Sequence, residues 1–70
     1  MSMKGETIEY INMEGDVIYG LVCEGVHKHA FDTSKNMIRD AIKVVWMDDG
    51  SITTEILEDV LDPETSLTLL

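Results

Sequence analysis

Basic side chains are scarce in this sequence: five Lys and Arg stand against fourteen Asp and Glu, for a formal net charge of −9. Affinity for nucleic-acid phosphates comes from Lys and Arg that release condensed counterions, so direct binding of DNA or RNA is not expected. Cysteine is nearly absent. With Cys23 alone no internal disulfide can form, which points to a reducing cytoplasm rather than to secretion. No apolar run reaches membrane-spanning length. The first residues, Met1-Ser2-Met3-Lys4-Gly5-Glu6-Thr7, have no apolar stretch after the lysine that would read as a secretory signal. Proline occurs once, at Pro63. There is also no CxxC pair, phosphate-cradling glycine loop, nucleophile elbow or dinucleotide fingerprint.

What is present is 70 residues, 44% of them hydrophobic, which is room for a single domain over residues 1–70 with one small core. A core of this size supplies only ~3–5 kcal/mol, and a buried active site would draw on that same margin. Action through a surface is therefore expected, without enzymatic activity. Self-association is a common route to extra stability for so short a chain.

The first third reads as strands. Ile8-Glu9-Tyr10 opens an alternating segment, Glu14-Gly15-Asp16 forms a tight turn, and Val17 to Cys23 is rich in β-branched and aromatic residues. Val26 to Phe31 is a third strand or a continuation of the second across a bulge at Gly25. From Asp32-Thr33-Ser34, which offer N-cap oxygens, the period changes. Ile38, Ala41, Ile42 and Val45 recur at helical spacing, flanked by Met37 and Trp46, which predicts an amphipathic helix over about 33–47 ended by Gly50. Ile52 to Leu57 reads as a strand and Glu58 to Leu61 as its extension or a short helical turn. Asp62-Pro63 is a break, and Leu67-Leu69-Leu70 a short edge strand or frayed end. The expected fold is α+β: a small, mostly antiparallel sheet in the order β-β-(β)-α-β with one helix packed on it.

An alternative makes residues 37–47 a strand paired with 52–57 around Asp48-Asp49-Gly50-Ser51, giving a small SH3/Sm-like β-barrel. Gly15 and Gly20, then Phe31-Asp32, Asn36-Met37 and Asp40-Ala41, loosely resemble the first motif of Sm-like RNA-binding barrels over about half of the chain. The interval from Gly20 to Phe31 is longer than in that motif, and the second Sm signature is missing. The resemblance implies a barrel that binds RNA, which the acidic balance opposes.

Two constellations bear on function. His27 and His29 are two apart on a strand and so share a face, as a metal-chelating pair would, with Cys23 a further ligand type nearby. No four-ligand set is complete; the plainer reading is two half-exposed histidines and a cysteine acting as a small hydrophobe, so no cofactor is expected. The second constellation is charge. Residues 1–24 carry one base against five acids, residues 25–43 four bases against two acids, and residues 44–70 no base against seven acids. On a helix, Lys35, Arg39 and Lys43 would form a basic stripe.

The plainer reading of the acids is a solvated, solubilising surface. The functional reading is a surface for a protein partner with a basic groove, with Asp48, Asp49, Glu55, Glu58, Asp59 and Asp62 standing in for phosphates. Such a module would be an inhibitor or adaptor of a nucleic-acid-handling protein, a strategy common among small phage-encoded inhibitors. Tyr10, Tyr19, Trp46, Met47 and the leucine tail exceed what a tiny core hides, which leaves homo-oligomerisation through the tail as a further expectation, while Trp46 is expected to close the core.

Overall fold

The computed structural model describes residues 3–32 and 37–70 of the chain. The chain folds into β1 (Thr7–Ile11), β2 (Val17–Asp32), β3 (Met37–Trp46), β4 (Ile52–Ile56), a short helix α1 (Leu57–Leu61) and β5 (Leu67–Leu69). The strands make one five-stranded antiparallel sheet in the order β4-β3-β2-β1-β5. A small, mostly antiparallel sheet with one short helix is thus the architecture, but the helix is not where the sequence places it.

The helix expected over 33–47 is a strand from Met37 onward, and residues 33–36 lie outside the described residues. The spacing of Ile38, Ala41, Ile42 and Val45 mimics a helical stripe. The burial, however, alternates through Ile42, Val44 and Trp46, with Lys43 and Val45 more exposed between them. That is the period of a strand. Ile42, Val44, Val45 and Trp46 are also β-branched or aromatic, side chains that suit a pleated surface better than a helical turn. Gly50 accordingly does not end a helix. It takes φ +75° in the β3–β4 hairpin and donates its N–H to Trp46 O at 2.8 Å. The hairpin of the alternative reading is therefore present, whereas the order of the sheet ends at β4 and β5 without a ladder between them among the described residues.

The remaining expectations follow the chain closely. Asn12 Oδ1 accepts the N–H groups of Glu14 and Asp16, each at 2.9 Å, closing the β1–β2 turn. The segment from Val26 to Phe31 continues β2 across register shifts between Val22 and Glu24 and between Glu24 and His27. These bulges bend a 16-residue strand, so that its first half pairs with both β1 and β3 and its second half with β3 alone. The helical turn is α1, and the tail is the short edge strand β5.

One face of the sheet is the core. Met3, Ile8, Val22, Ile42, Val44, Trp46 and Val60 are buried together, with Tyr10, Ile18, Val26, Leu57, Leu67 and Leu69 packed around them. Helix α1 touches β3, β4 and β5 and inserts Val60 into this cluster, so it spans the gap between the two edge strands. No side-chain cap holds its first turn; its placement rests on Val60 and on Thr65, whose hydroxyl lies 2.5 Å from Asp59 O and 3.0 Å from Asp62 O. Gly20, opposite Ile8 and Trp46 in the ladders, leaves the space in which the indole lies.

The other face is apolar in part and open. Thr7, Leu21, Val45 and Ile52 stand in one row across β1, β2, β3 and β4. Beside them are Tyr19 (46% exposed), Val17 (48%) and Ile11 (44%), and Ile52 itself is 61% exposed. No helix of the described residues is long and apolar enough to cross a membrane.

Candidate partner-binding site

Strand β4 is inverted relative to the rest of the sheet. Thr53 pairs with Val44 and Glu55 with Ile42, so both polar side chains stand on the face that elsewhere forms the core. Ile52, in register with Val45, points outward instead. A strand that turns its polar side inward and its isoleucine to water works against its own burial, and such local inconsistency tends to mark function.

The inverted face lines a cleft of about 340 Å³ along the seam of the sheet, within the size range of small-ligand sites. Its walls differ. On one side are Tyr10, Ile18 and Leu67, from β1, β2 and β5. On the other are Asp48, Asp49, Ser51, Thr53 and Glu55, from β4 and the turn before it. Trp46 lies between them, with its ring centroid 5.9 Å from that of Tyr10 and tilted by 58°.

Hydrogen bonds fix the acidic wall. The Trp46 indole N–H donates to Thr53 Oγ1 at 2.7 Å, and the Thr53 hydroxyl donates to Glu55 Oε2 at 3.3 Å. The turn is closed by its own carboxylates: Asp48 Oδ1 accepts the Asp49 N–H at 2.9 Å, and Asp49 Oδ1 accepts the Ser51 N–H at 2.8 Å. Bonding to Ser51 holds the Asp49 carboxyl below its usual range. Glu55 is shifted the other way. Burial against the core raises its pKa, the Thr53 hydroxyl opposes this, and the nearby charge of Asp59 adds to it.

The structure divides the six acids expected to act together. Asp48, Asp49 and Glu55 meet at the cleft, and Asp59 stands close enough to Glu55 to affect its ionisation. Glu58 instead pairs with Arg39 at 2.8 Å. Asp62 lies beyond α1, where its Oδ1 accepts the Glu64 N–H at 2.9 Å and it lines a separate cleft of about 200 Å³ with Pro63 and Leu69. The basic stripe expected on a helix is a strand feature: Arg39 pairs with Glu58 and Lys43 with Glu24 at 3.4 Å, while Lys35 is outside the described residues. Lys28 pairs with Asp40 at 2.5 Å. Among the described residues no Lys or Arg is ion-paired with Asp48, Asp49, Glu55, Asp59 or Asp62.

The histidines do come together. Their rings meet edge to face with centroids 6.0 Å apart, and His27 Nδ1 lies 3.2 Å from Gly25 O. Cys23 is turned to the neighbouring strand, its thiol 3.5 Å from Lys43 O. Among the described residues no group of three His, Cys, Asp or Glu side chains is placed to hold a metal ion.

Sequence reasoning found the acids of the cleft but missed its apolar wall and the orientation of β4. Tyr10 and Leu67 read as apolar excess available for self-association, and Ile18 as part of a buried strand. The available signal was Ser51, Thr53 and Glu55 at alternate positions, one polar face of a short strand. No protein-family model matches this sequence, no curated protein matches it, and no solved structure matches its fold.

Proposed function

We propose that this protein is a small acidic protein-binding module, acting as an inhibitor or adaptor by occupying the basic groove of a nucleic-acid-handling protein. The observation that carries the reading is the distribution of ion pairs. Lys28, Arg39 and Lys43 are each matched by a local acid, whereas the carboxylates of the β3–β4 turn and β4 face a cleft without a described cation. A concentrated, uncompensated negative surface steers a positively charged partner and sets its orientation. Grooves with that charge are typical of proteins that hold phosphate backbones.

The test is affinity capture from extract with the native chain and with the triple variant Asp48→Asn, Asp49→Asn, Glu55→Gln. A partner retained at low salt by the native chain alone, and displaced by added nucleic acid, is the expected outcome. A partner indifferent to salt and to nucleic acid, or one held equally by the variant, would count against the proposal.

A further inference from the structure

The cleft has two unlike walls, and a ligand that fills it must match both. Along Tyr10, Ile18 and Leu67 it must be apolar; at Glu55, Asp48 and Asp49 it must be cationic. A compact inorganic cation satisfies only the acidic side. An aliphatic side chain satisfies only the other, and leaves the Glu55 carboxylate further desolvated with no cation to offset its charge and only the Thr53 hydroxyl as a partner, which is costly. Long basic side chains have the required form, a methylene stem that packs on apolar surface and a charged head. Of these, arginine fits the seam better than lysine. Its planar fork of donors matches a carboxylate such as that of Glu55, and its flat face packs on an aromatic ring such as that of Tyr10, which lines the cleft.

We infer that the cleft is the socket for an arginine side chain presented by the protein partner. Its stem lies against Tyr10, Ile18 and Leu67, and its guanidinium reaches Glu55 past the exposed edge of Trp46, with Asp48 and Asp49 adding to the negative field of the cleft. The inference rests on the partner-binding reading above and names the chemistry of its anchor. The hydrogen-bonded run Trp46–Thr53–Glu55 holds the carboxylate in place before the guanidinium arrives, so less ordering is left to binding. The raised pKa of Glu55 is what an acid kept for a cationic partner would show in its absence.

The test is a titration of the ¹⁵N-labelled protein with a Gly/Ser hexapeptide carrying one central arginine, followed by NMR. Matched peptides carry lysine, or citrulline, which is nearly isosteric and uncharged. Saturable shifts of the Trp46 indole N–H and of the Thr53 and Glu55 amides are expected with the arginine peptide. Binding should weaken by roughly tenfold with citrulline and several-fold with lysine. Glu55→Gln should weaken the arginine peptide several-fold, whereas Glu14→Gln in the β1–β2 turn, which removes the same charge, should not.

Equal binding of the citrulline peptide would show a merely apolar groove, and equal binding of the lysine peptide a merely anionic one; either overturns the inference. So do shifts that omit Trp46, or cleft shifts that follow protein concentration without peptide, which would mark a second copy of the chain. The two proposals fail separately. A captured partner that still depends on Asp48, Asp49 and Glu55 while the arginine peptide leaves Trp46 unmoved preserves the module and removes the socket.

Discussion

Glu55 occupies an edge-strand position whose ladder partner is the core residue Ile42, and its ionisation records the misfit. Because its folded pKa is raised, the folded chain holds a proton there that the unfolded chain has already released. The associated stabilisation is complete below the ordinary glutamate value of about 4.3 and is lost as pH rises through the folded value. Glu55→Gln should therefore gain stability over the native chain at pH 7, by little since the side chain is half-exposed, and lose that advantage near pH 4. Denaturant midpoints at the two pH values measure this. Glu55→Leu, which restores an apolar residue to an apolar position, should raise the melting temperature further while removing arginine-peptide binding. A lower melting temperature for the leucine variant would mean that the carboxylate is structural. Thr53 is the converse case. It accepts the indole N–H, so Thr53→Val leaves a partly buried donor without its partner and should cost about 1–3 kcal/mol.

At the scale of elements, two glycines show different ways of shaping a hairpin sheet. A Cβ on Gly20 would lie 2.5 Å from Val44 Cγ1 and 2.8 Å from Trp46 Cε3. Gly20→Ala should therefore cost on the order of 1–3 kcal/mol and change the tryptophan emission, because the indole must move. Gly50 has open space around it but sits at φ +75°, so Gly50→Ala should cost about 1–2 kcal/mol and leave the emission unchanged. Urea unfolding followed by fluorescence separates the two. The β1–β2 turn was legible in the sequence because Gly15 carries its own local chemistry, whereas Gly50 suited a helix end as well as the β3–β4 hairpin it occupies. The β3 strand was not legible. Ile38, Ala41, Ile42 and Val45 satisfy helical spacing as well as a strand does, and only pairing with β2 and β4 selects Ile42, Val44 and Trp46 for burial. The cleft was half legible for a related reason. Its acids announce themselves by charge, but Tyr10, Ile18 and Leu67 lie toward the opposite edge of the sheet and line the same cleft only across its core face, a placement local sequence does not carry.

For the whole molecule, the net charge of −9 and the open outer row of Leu21, Val45 and Ile52 belong together. An apolar face of this kind invites a second copy to dock, as exposed apolar patches generally do. At low ionic strength the mutual repulsion of two strongly acidic chains opposes that approach over about 10 Å or more, and at ~1 M salt over only about 3 Å. Sedimentation velocity should then show a monomer at pH 7 in dilute buffer and self-association in concentrated salt or near the isoelectric point of about 4.3. Ile52→Lys in the outer row should suppress it; association that survives this change would place the contact elsewhere. The outer row thus gives the acidity a colloidal role besides the recognition proposed for it. The salt that would release a basic partner is the same salt that lets naked apolar faces meet, so a molecule stripped of its partner in brine would leave solution by clustering rather than by unfolding.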